Sequence, residues 1–276
     1  MPSRLVLGLS LVLALSACGG AASDGPPVGT LAVATYGARP SPQAVEVPPI
    51  AQALRDVDIT SFRQAFEKQR AYSYSRYRRT EQFAEDGLLS AFAEYTFQAQ
   101  PGSEPVITAA DSVGTFDFGL FSGFVSNTVS ELDPVDLSDY VLPDDPIYLQ
   151  DRHLHAYSYE TRRDTLMWDR QAHVYEVEAR ASEGDGYNVR RVRYMIDTQT
   201  KELIAVALDR IDLALLYREE SSFFLHVRPM SNGDRLPYTS RFYTSVWMPF
   251  RDIKRIGTVS TYYGYQRGDG IAREGH

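Results

Sequence analysis

Val189-Arg190-Arg191-Val192-Arg193-Tyr194-Met195-Ile196, then Asp197-Thr198-Gln199-Thr200, then Glu202 to Asp212 (ELIAVALDRID): this stretch decides the fold. Two runs rich in β-branched and aromatic residues flank four turn-forming ones, the pattern of a hairpin. The same pattern extends outward in both directions. Upstream lie His155–Arg163 and Ala172–Ala181, with the turn Glu183-Gly184-Asp185-Gly186 before Val189. Downstream lie Ser222–Val227, Tyr238–Val246 and Ile253–Tyr263. Nearer the N-terminus, Tyr72 and Tyr74 alternate with Ser73 and Ser75, and Ser90–Gln98 and Pro105–Ala110 are also strand-like. Arg76 to Arg79 cannot be assigned to one face. About nine or more strands with short connections predict an antiparallel meander, not alternating βαβ units.

Ahead of the strands the period changes. Ile50, Leu54 and Val57, then Ile59, Phe62 and Phe66, recur every three to four residues and predict two helices. Asp58 or Thr60 caps the second. A wide twisted sheet must curl, close or cover one face. The expected class is therefore α+β, mostly β: a strongly curved antiparallel sheet, or half-barrel, with the N-terminal helices on its concave face.

The first residues supply an address. Arg4 gives a positive start, Leu5–Leu15 is an apolar run too short to span a bilayer, and Leu15-Ser16-Ala17-Cys18 follows. This resembles the lipobox of bacterial lipoproteins, in which the signal is removed and the cysteine is acylated. On that reading residues 1–17 are a signal peptide and Cys18 is the lipidation site. The alternative is an ordinary signal peptide cut near Ala17. Cys18 is the single cysteine of the 276 residues, which excludes an internal disulfide, a CxxC redox site and a zinc–thiolate site. Two or three acyl chains hold a protein on a membrane where one binds only marginally. Gly19, and not an aspartate, follows the cysteine, which by the same resemblance favours the outer membrane.

Residues 18–48 are rich in Gly, Ala, Pro and Ser and read as a lipidated flexible tether, with a reach of about 30 Å. Residues 49–276 then form a single β-rich domain. The chain carries 28 Lys+Arg against 36 Asp+Glu, a formal charge of −8, and loss of Arg4 with the signal makes it one unit more acidic. That balance lacks the footprint of a nucleic-acid binder.

Motifs for chemistry are sparse. There is no Gly-rich phosphate loop, no HExxH and no GxSxG elbow; in Gly119-Leu120-Phe121-Ser122-Gly123 the serine falls one place late. His153 and His155 would share a strand face, but no carboxylate partner is fixed by spacing. Asp144-Asp145, between Pro143 and Pro146, marks a rigid turn that lacks the oxygen ligands calcium needs. Glu176 and Glu178 share a strand face, and nothing ties them to a substrate. His173 and His226 read as packing residues. No enzyme, metal or cofactor is expected. What stands out is apolar: Phe116, Phe118, Leu120, Phe121, Phe124 and Val125 crowd a segment loosened by Gly114, Gly119 and Gly123. Those side chains either complete the core or form a flap over an apolar cavity.

The initial helix with Phe62 and Phe66, the Tyr72–Tyr77 strand and the hairpin Arg193–Thr200 come in an order that resembles the periplasmic lipoprotein-carrier and outer-membrane lipoprotein-receptor superfamily. The resemblance covers about residues 50–265. It implies an unclosed half-barrel that binds lipid or lipoprotein acyl chains in an apolar cavity. The candidate ligand-binding residues are then Phe62, Phe66, Phe116, Phe118, Phe121 and Phe124. The chain's own anchor makes it look like a receptor or retained binder on the periplasmic face of the outer membrane, and not a shuttling carrier. The acidic, proline-containing insert around Ser130–Pro146 has no counterpart there. The alternative is a structural or interaction lipoprotein of the same fold, with a filled core and an envelope protein partner. A hydrolase would require His153, His155 or Ser122 beside carboxylates in a cleft.

Overall fold

The computed structural model describes residues 46–116, 134–167, 170–183, 186–214, 217–249 and 253–268. The residues read as signal peptide, Cys18 and nearly all of those read as tether lie outside them, as do Phe118, Phe121, Ser122 and Phe124. Helices α1 (Pro49–Arg55) and α2 (Ile59–Lys68) open the described chain. Pro49 takes the first turn of α1, where its missing N–H costs nothing. Asp58 caps α2, its carboxylate accepting the Ser61 amide at 2.9 Å. Such a cap stabilises a helix by about 1 kcal/mol.

Ten strands follow: β1 (Tyr72–Phe83), β2 (Leu89–Ala99), β3 (Val106–Val113), β4 (Tyr157–Met167), β5 (Arg170–Ala179), β6 (Val189–Asp197), β7 (Leu203–Ala214), β8 (Tyr217–Pro229), β9 (Arg235–Trp247) and β10 (Lys254–Arg267). They form one antiparallel, unclosed, curved sheet in the order β3-β2-β1-β10-β9-β8-β7-β6-β5-β4. The sequence suggests one continuous meander. The structure instead holds two, β1–β3 and β4–β10, joined by pairing of β1 with β10 from Tyr72↔Arg267 to Phe83↔Arg255. The connection between β3 and β4 is too long for a hairpin, so those strands become the two edges. In the β6–β7 turn the Asp197 carboxylate accepts the amides of Gln199 (2.7 Å) and Thr200 (2.9 Å) and takes Arg170 at 2.6 Å. Burial opposes its charge, but these donors outweigh burial and hold its pKa below the usual carboxylate value.

One local expectation is corrected. His153 and His155 lie in a 3-10 turn, Asp151–Ala156, not on a strand; β4 starts two residues after His155. The insert contains a third helix, α3 (Pro134–Val141). Leu137 and Val141, four residues apart, are buried against the core, which gives this short helix an inward stripe.

The helices pack on the concave face, over β4, β7 and β9. There Leu54, Phe62, Phe66, Leu137 and Val141 meet Val177, Val192, Tyr194, Val206, Leu208, Phe223 and Leu225 in one apolar cluster. Phe62 and Phe66 are 0% and 1% exposed, each burial being worth about 2–3 kcal/mol. No helix among the described residues is long and apolar enough to cross a bilayer.

Candidate ligand-binding faces

Cross-strand register lets each face be read as rows. One concave row runs Thr161, Tyr175, Tyr194, Val206, Leu225, Ser240, Ser260, Arg78, Tyr95, Ala110 from β4 to β3. The next runs Tyr159, Val177, Val192, Leu208, Phe223, Phe242, Thr258, Thr80, Ala93, Ser112. Both change character near β9. From β5 to β8 they are aliphatic and aromatic, covered by the helices. Past Phe242 on β9 they carry serine, threonine, arginine, alanine and Tyr95.

The covered half is filled by the chain itself. Phe62 and Phe66 face each other with ring centroids 5.7 Å apart inside the cluster. The Tyr148 and Tyr194 hydroxyls hydrogen-bond at 2.8 Å, and Tyr159 donates to the Tyr148 carbonyl at 2.5 Å. Burial pushes the Tyr194 hydroxyl up to about 12, so it stays neutral and acts only as a hydrogen-bonding group.

The other half mixes short side chains with arginine and aromatic ones. Thr80 and Thr258 hydrogen-bond at 3.1 Å. Ala91, Ala93 and Ala99 line β2. Arg76 lies 4.4 Å from the centroid of Phe97, and Arg78 lies 5.3 Å from Tyr95 and 5.1 Å from Phe97. The guanidinium groups thus lie along aromatic faces, a geometry that keeps a cation close to apolar surface. At the far end of β3, Gly114 takes φ +77°, and a Cβ there would collide with the Ser90 carbonyl and stand 3.1 Å from Ala91. Only glycine permits that close approach. Phe116, half-buried, follows two residues later.

The face opposite the helices has a basin of about 520 Å³ over the middle of the sheet. Its row reads Glu176, Arg193, Ala207, Phe224, Arg241, Val259, Arg79, Glu94. The neighbouring row reads Arg191, Asp209, Ser222, Tyr243, Gly257, Glu81, Phe92. Nothing in the sequence singles out this basin, because its residues come from six strands.

The remaining candidates have ordinary partners. His153 Nδ1 meets the Tyr187 hydroxyl at 3.1 Å, and His173 Nδ1 meets Asp164 at 2.9 Å. Glu176 is held by Arg162 at 2.6 Å, and Asp144 pairs with Arg63. His226 is buried, and burial first, then Arg228 and Arg241, lowers its pKa to about 4. Among the described residues no three His, Cys, Asp or Glu side chains form a metal-holding group.

No protein-family description matches the chain, and no curated protein does. Similar solved structures include a DUF1329 family protein from Desulfovibrio piger, 10% identical, spanning 81% of this chain and 95% of that one at a TM-score of 0.30. A LolA superfamily protein from Nitrosomonas europaea is 12% identical over 77% and 94% of the two chains, TM-score 0.27. An outer membrane lipoprotein-sorting protein domain from Vibrio parahaemolyticus is 10% identical over 78% and 93%, TM-score 0.28. None of these likenesses bears on an individual residue of this chain.

Proposed function

We propose that this chain is a non-enzymatic lipoprotein, anchored through Cys18 and facing the periplasm from the outer membrane, that binds a lipid or lipoprotein acyl chain on its concave face. The observation that carries the reading is the change of character at β9. Helices fill the face from β4 to β9, while β10, β1 and β2 offer a floor of alanine and small hydroxyl side chains beside Phe97 and Tyr262. Aromatic rings supply apolar contact, and Arg76 offers charge to an acidic headgroup. Phe62 and Phe66 then belong to the core and not to the ligand surface, since protein already surrounds them. Phe116 stands where the Phe-bearing segment begins.

A displacement assay tests this. The full chain with Cys18→Ser, freed of its own lipid, is titrated with cis-parinarate as a fluorescent acyl probe. Saturable binding displaced by palmitate, and lost in an Ala93→Trp variant that fills the floor, is the expected result. Absence of saturable binding removes the reading and favours the alternative of an interaction lipoprotein with a protein partner.

A further inference from the structure

The basin opposite the helices is unlike an ordinary outer sheet face. Ala207 and Gly257 stand among its lining residues in the centre of the sheet. Tyr243 and Val259 line it at 40% and 39% exposure although both stand on interior strands. Outward positions of this kind usually carry polar side chains. Its volume falls in the range of small-molecule sites.

The charges around it do not balance. Asp209 is taken by Arg191 at 3.1 Å and by Arg193 at 4.0 Å, and Glu81 is held by Arg79 at 2.6 Å. Both carboxylates of the lining are therefore paired. The Arg241 guanidinium, by contrast, has only the ring of Phe224, 5.7 Å from its centroid, among the described residues. In a chain of net charge −8 a cation without a carboxylate, set beside exposed apolar surface, selects its own complement.

We infer that this basin is a second ligand site, for a single anionic amphiphile whose carboxylate meets Arg241 and whose hydrocarbon lies along Phe224, Tyr243 and Val259. It is distinct from the concave groove and does not depend on it. A protein partner is a poorer fit, because the depression is local.

The test uses the full chain with Cys18→Ser and two photoreactive diazirine probes, dodecanoic acid and the corresponding dodecanol, with labelled peptides mapped by mass spectrometry. The acid is expected to label the peptides bearing Phe224, Tyr243 and Val259. Arg241→Gln, an exposed substitution, should cut that labelling about tenfold at sub-saturating probe and leave labelling by the alcohol unchanged. Gly257→Val should abolish labelling by both probes. A Cβ at Gly257 comes into ordinary contact with Tyr243 at 3.7 Å and Phe83 at 3.9 Å, and retention of the fold is checked by circular dichroism. Labelling confined to β1 and β2 would overturn this inference and leave the acyl-chain reading standing. Labelling of the basin that is indifferent to Arg241 would overturn it equally.

Discussion

On one face of one sheet, the half from β5 to β8 carries Tyr194, Val206, Leu208, Phe223 and Leu225, while the half from β10 to β2 carries Ser260, Thr258, Thr80, Arg78 and Ala93. The first half attracts helices and becomes core. The second keeps short side chains and leaves the helices to its neighbour. The difference teaches that one curved sheet divides its labour along the strand order. Apolar packing across layers is concentrated in the first half, and the proposed binding surface lies in the second.

The largest effects are expected in the covered half. Phe62→Ala should cost about 3–5 kcal/mol in urea denaturation, because the ring is fully buried against Phe66 and the strands. Acyl-probe binding per folded molecule should be unchanged, and a variant that loses binding without losing stability would reverse the roles of the two halves.

A pH series extends the contrast through the sheet. His226 is neutral when folded, with a pKa near 4 against an ordinary 6.5. Its contribution is complete above 6.5 and declines as pH falls from 6.5 to 4, since the unfolded chain takes up the proton first. The loss is at most about 3 kcal/mol. His226→Leu should flatten that part of the stability–pH curve, and an unchanged slope would show that His226 is hydrated.

Tyr194→Phe should cost about 1–2 kcal/mol by leaving the buried Tyr148 hydroxyl without its partner. Thr258→Val in the open half should cost about 1 kcal/mol or less, because Thr80 is half-exposed and water can replace the lost bond. If the two substitutions cost the same, the division between the halves is not energetic.

Much of the sheet was legible because Tyr, Val and Thr alternate with polar residues in most strands. The helices α1 and α2 were legible for the matching reason, an apolar repeat of three to four. What local pattern does not encode is which strands pair, so the junction of β1 with β10 emerges only from the tertiary structure. Arg76 to Arg79 defeated a face assignment because a run of arginines hides its own alternation. Arg76 and Arg78 lie over Phe97 and Tyr95 on the concave face, whereas Arg79 turns outward to Glu81 and Glu94. Helix α3 had a readable signal in Pro134, Leu137 and Val141, masked by the acidic composition around it. His155 alternates with the β4 residues in sequence, yet the chain there is still in a 3-10 turn. The candidate site was legible only as a resemblance, since neither the hydroxyl-lined half nor the outer basin is contiguous in the chain.

Native mass spectrometry of the full chain with Cys18→Ser, taken directly from the periplasm and again after organic extraction, tests the central claim most directly. The account predicts a bound species of lipid mass that extraction removes and that is missing when Ala93→Trp is added. A spectrum showing only bare protein in gently prepared samples, or an adduct indifferent to Ala93→Trp, would contradict it.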